Sequence, residues 1–164
     1  MNPAQLQALS DQAVALCQAG RTAEAEQACI RLRDADPRNF IGCYLQGVIQ
    51  FGRGERGPAR ASIEAAMAAD PYAPQPWVYH GLLLEADGRD DQALASYGKA
   101  LSLQPDMVEA MVHRGAVFQR QGRWSQALAD FDIALKLRAG LVPAMVGRGA
   151  CLQKLGRGEE ALAA

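Results

Sequence analysis

The sequence predicts an all-α protein made by stacking one helical hairpin several times. Three observations carry that expectation. Gly20, Gly54, Gly88, Gly122 and Gly156 fall 34 residues apart, and Gly47, Gly81, Gly115 and Gly149 repeat at the same interval. Alanines keep the same period at Ala25, Ala59, Ala93, Ala127 and Ala161, as do the prolines Pro37, Pro71 and Pro105. Between these markers the apolar residues follow helical spacing. A fixed period in this range is the signature of a repeat architecture, in which each unit buries its apolar face only against its neighbours.

Residues 74–107 give the clearest copy. Trp77, His80, Gly81 and Leu84 share one face of a first helix. Gly88 follows its last turn, where a left-handed residue closes a helix. Asp90 is expected just before the second helix, as a residue type favoured at N-termini. Ala93, Tyr97, Ala100 and Leu101 mark the inner face of that helix, and Pro105 ends it. Gly81 lies inside a helix, where glycine costs roughly 1 kcal/mol against alanine. The expected compensation is close approach of the two helices, with Ala59, Ala93 and Ala127 opposite and Ile63, Tyr97 and Phe131 filling the space beside the contact.

The other copies depart from this pattern in readable ways. The first, 6–39, has Ala13 in place of the mid-helix glycine and Cys29 in place of the large residue. The second, 40–73, has a glycine-rich turn from Phe51 to Pro58, expected to be locally mobile. The fourth, 108–141, has Ala139 where a proline closes the others, so its second helix is expected to run a residue or two further before Gly140. The fifth, 142–164, holds Gly149, Gly156 and Ala161 in register and then stops. An excerpt of a longer protein is the expected reason, and a covering second chain the alternative.

Together, Trp77-x-x-His80-Gly81-x-x-Leu84, Ala93-x-x-x-Tyr97 and Pro105 resemble the tetratricopeptide repeat. The resemblance covers nearly the whole chain. It implies a single domain over 1–164, a right-handed α-solenoid of antiparallel helix pairs with about 4.5 repeats. It also implies that first helices line a concave binding surface.

On those first helices a second apolar stripe runs beside the core face. Tyr44, Val48 and Phe51, then Val78, Leu82 and Glu85, then Val112 and Gln119 are the candidate groove residues. Part of this stripe is also expected to pack between neighbouring first helices. An apolar groove suits an amphipathic helix or an extended peptide. The lysine, arginine and asparagine clamp with which some family members grip acidic tails is missing. So is the asparagine ladder of others, since Asp11, Leu45, Tyr79, His113 and Gly147 occupy its place.

Composition narrows the function further. About half the chain is apolar, a fifth is charged, and the net charge is −1. No basic run supplies the electrostatic footprint of a nucleic-acid or anionic-membrane ligand. No apolar stretch approaches membrane-spanning length, and the N-terminus has no signal-peptide pattern. The four cysteines lack Cys-x-x-Cys spacing and read as buried free thiols, which makes a cytoplasmic location the expectation. The abundance of Ala, Gly and Arg hints at a bacterial source. His80 and His113 stand in no metal-ligand spacing. Asp90-Asp91 and Glu159-Glu160 are explained by helix dipoles. Gly52-x-Gly54-x-x-Gly57 follows a helix, not a strand, and so fails as a dinucleotide fingerprint. No catalytic, metal-binding or cofactor-binding residue is expected. The expected function is a protein–protein interaction scaffold or adaptor. Two other readings remain: an N-terminal module of a larger enzyme such as a glycosyltransferase or sulfotransferase, and a chain that self-associates through its fifth copy.

Overall fold

The computed structural model describes residues 1–156 and, among them, nine helices and no strand. They are α1 (Pro3–Gln18), α2 (Thr22–Ala35), α3 (Phe40–Gly52), α4 (Arg56–Ala69), α5 (Pro74–Ala86), α6 (Asp90–Leu103), α7 (Val108–Arg120), α8 (Trp124–Leu137) and α9 (Val142–Lys154). Each odd-numbered helix opens a repeat and each even-numbered helix closes it. Ala161 and Glu159-Glu160 lie outside the described residues.

The first helix of the chain is capped on both sides of its N-terminus. The Asn2 side chain accepts from the Gln5 backbone N–H at 2.8 Å, and the Gln5 side chain accepts from the Asn2 N–H at 2.9 Å. Asn39 caps α3 in a similar way, accepting from Gly42 at 2.8 Å.

Every first helix with a described following turn ends alike. Gly20, Gly54, Gly88 and Gly122 take φ of 70° to 77°. The N–H after each glycine reaches back to a carbonyl five residues earlier: Arg21 to Leu16, Glu55 to Gln50, Arg89 to Leu84 and Arg123 to Phe118, all at 2.9 Å. The glycine N–H bonds the intervening carbonyl, as Gly20 does to Cys17 at 3.1 Å. This double closure satisfies the orphaned carbonyls of the helix end. It also corrects one expectation. Asp90 is the first residue of α6, not its cap, and makes no capping bond; it sits with Asp91 in the first turn, facing the helix dipole.

The glycine-rich turn after α3 has the same geometry as the others. Gly57 and Pro58 already lie in α4, which begins 34 residues after α2 and 34 before α6. A second correction concerns α8. It ends at Leu137, with the same 14 residues as α2, α4 and α6, despite the missing proline. Arg138 is extended (φ −138°, ψ 94°), matching Asp36, Asp70 and Gln104 in the same place. This helix therefore ends without proline where the others end with it. The turn itself differs: Gly140 takes φ 75°, while Arg38, Tyr72 and Asp106 avoid positive φ.

Two of the mid-helix glycines make room for the large column, and at Gly47 also for the backbone of the opposite helix, whose Ile63 nitrogen would lie 3.2 Å from a methyl. A methyl at Gly47 would come within 2.7 Å of Ile63, and one at Gly115 within 2.9 Å of the Phe131 ring. Phe131 is also enclosed from the next repeat, where a methyl at Gly147 would fall 2.5 Å from the ring. One repeat earlier the same two places hold Tyr97 and His113, whose rings stack at 5.8 Å with 19° between planes. Earlier still, Tyr79 packs against Ile63, and Leu45 shares a core with Cys29. The filler changes from small to large along Cys29, Ile63, Tyr97 and Phe131. Its neighbour changes along Leu45, Tyr79, His113 and Gly147, and the series ends with the Phe131 ring against no side chain. There the ring fills the space the glycine leaves.

The chain divides into two compact units, Met1–Leu83 and Leu84–Ala164. In the first, Leu9, Ala13, Leu16, Leu32, Leu45 and Ile49 form one core, and Ala59, Ile63 and Leu83 another. In the second, Met111, Phe118, Ala127, Phe131, Ala144 and Leu152 form the core. There Asp130 is buried and receives two bonds from Arg114, at 2.7 and 2.8 Å.

Candidate functional site

In the first unit the candidate groove residues are unequally available. Tyr44, Val48, Phe51 and Leu82 are partly exposed on α3 and α5, whereas Val78 is 5% exposed and is spent on the core. Tyr44 and Phe51 lie seven residues apart, on one side of α3. Between them comes Tyr79 of α5, edge-on to Tyr44 at 5.8 Å and to Phe51 at 5.7 Å. Phe40 stacks on Tyr44 from the other side, at 5.8 Å and 7°. Burial pushes the Tyr44 hydroxyl well above the ordinary tyrosine range, with Tyr79 adding to the effect, so the group stays a neutral donor. Phe40 and Tyr79 were not among the sequence candidates. Tyr79 holds the place two before the mid-helix glycine, which has no period-wide residue type to flag it.

In the second unit Val112 and Gln119 are partly exposed on α7. The Gln119 carbonyl accepts from Gly122 in the helix closure, leaving its side chain on the surface. Glu85 is tied down: Arg120 donates to it at 3.2 Å and to Asp90 at 2.9 Å. Tyr97 lies close by, fully buried. Burial, and then the Glu85 charge, keep its hydroxyl protonated. Desolvation lowers the pKa of His113, against the opposing pull of Glu85 and Glu109. On α9, Val146 is 68% exposed.

None of this assembles a catalytic constellation. Among the described residues no group of three His, Cys, Asp or Glu side chains could hold a metal ion. The four cysteines are free thiols, and burial raises Cys29 to about 12, far from a reactive thiolate. No described helix is long and apolar enough to cross a membrane.

Two family models match the sequence. One, described as TPR repeat, covers residues 81–122; the other, described as Tetratricopeptide repeat, covers 114–164. The chain belongs to the tetratricopeptide repeat family. No curated protein matches it in sequence. Among solved structures of similar fold is the MamA protein, at 18% identity, covering 96% of this chain and 86% of that one, with a TM-score of 0.77. PilF of Pseudomonas aeruginosa is 19% identical over 96% of this chain and 72% of its own, with a TM-score of 0.85. YrrB, described as a TPR protein with an unusual peptide-binding site, is 19% identical over 94% and 80%, with a TM-score of 0.73. At these identities the likeness establishes the fold, an all-α solenoid of tetratricopeptide hairpins. That fold is typical of non-catalytic interaction scaffolds with protein partners. Within it, three of the five residues in the column Asp11, Leu45, Tyr79, His113 and Gly147 serve internal packing. Leu45 is buried, His113 stacks on Tyr97, and Gly147 clears Phe131.

Proposed function

We propose that this tetratricopeptide chain is a non-catalytic adaptor whose first helices bind a peptide or helix of a protein partner. One observation carries the reading. Val48 and Leu82, one period apart in the first unit, and Val112 and Val146, one period apart in the second, are apolar, lie on first helices, and keep exposed surface after the cores are built. Exposed apolar residues in repeated positions are the usual material of a binding surface. In the first unit Tyr44 and Phe51 adjoin these residues, and in the second Gln119 does, as does Glu85, whose charge Arg120 neutralises.

The test is selection of binders from a random peptide display library on the intact chain. Leu82→Glu and Val146→Glu, made singly and together, should abolish capture of the selected peptides while the helical circular dichroism is unchanged. Retention of every peptide by the double variant would refute the surface. Loss of the helical signal would show these residues to be core, and would refute it equally.

A further inference from the structure

We draw no further inference here: the strongest candidate, the apolar face of α9 that exposes Val142 and Val146 where Val108 in α7 and Val78 in α5 are buried, carries nothing because nothing in the structure shows what covers it.

Discussion

Gly98 and Gly147 are both helical glycines, and they should respond oppositely to the same substitution. Gly98 lies inside α6 with open space where a methyl would go, so Gly98→Ala should stabilise by about 0.5–1 kcal/mol through helix propensity alone. At Gly147 the same gain meets a Phe131 ring 2.5 Å from the new methyl. Overpacking costs typically 1–3 kcal/mol, so Gly147→Ala should destabilise by roughly 1–2 kcal/mol net. Phe131→Leu made in addition should cost less in the Gly147→Ala background than in the parent chain. Urea unfolding of the four proteins, read as a double-mutant cycle, checks this. Asp130 is a separate case. Removing it with Asp130→Ala leaves Arg114 partly buried without its carboxylate, and should cost about 2 kcal/mol.

The repeat's elements end by two mechanisms, and only one is written in a residue type. First helices end on glycine in the left-handed region. Second helices end at an extended residue that precedes proline three times and alanine once. Arg138 already has the conformation a following proline demands. Ala139→Pro should therefore stabilise by about 0.4–1 kcal/mol by restricting the unfolded chain, with α8 unchanged in length. A raised thermal midpoint with unchanged helical ellipticity is the expected result, and a lowered midpoint would show that the turn through Gly140 excludes proline. The expected lengthening of α8 failed because Arg138 is already extended and Gly140 turns the chain in the left-handed region, so the stop does not need proline.

At the scale of the whole molecule, acid should weaken the fold through the half-buried ring of His113. His113 is stacked on Tyr97 and desolvation lowers its pKa below the ordinary 6.5, so the folded state resists the proton that the unfolded state accepts. The stability this represents is complete above about pH 6.5 and lost as pH falls through the folded value. The urea midpoint should drop between pH 7.5 and 5.5, and His113→Gln should flatten that drop. Glu26, held low by Arg53, acts only below its ordinary 4.5, outside this window. The period, the hairpin and the glycine closures were legible because they rest on backbone conformation, which one residue type at one spacing reports. Of the candidate groove, the stripe on the first helices was legible from helical periodicity. Burial of Val78, capture of Glu85 by Arg120 and the wedge of Tyr79 between Tyr44 and Phe51 were not. Sequence by itself determined that this chain folds as a stack of 34-residue hairpins, because period-locked glycines and alanines admit little else. Which apolar residues stay exposed was decided only by the tertiary structure, because two stripes that both contain apolar residues differ in whether a neighbouring helix has already covered them.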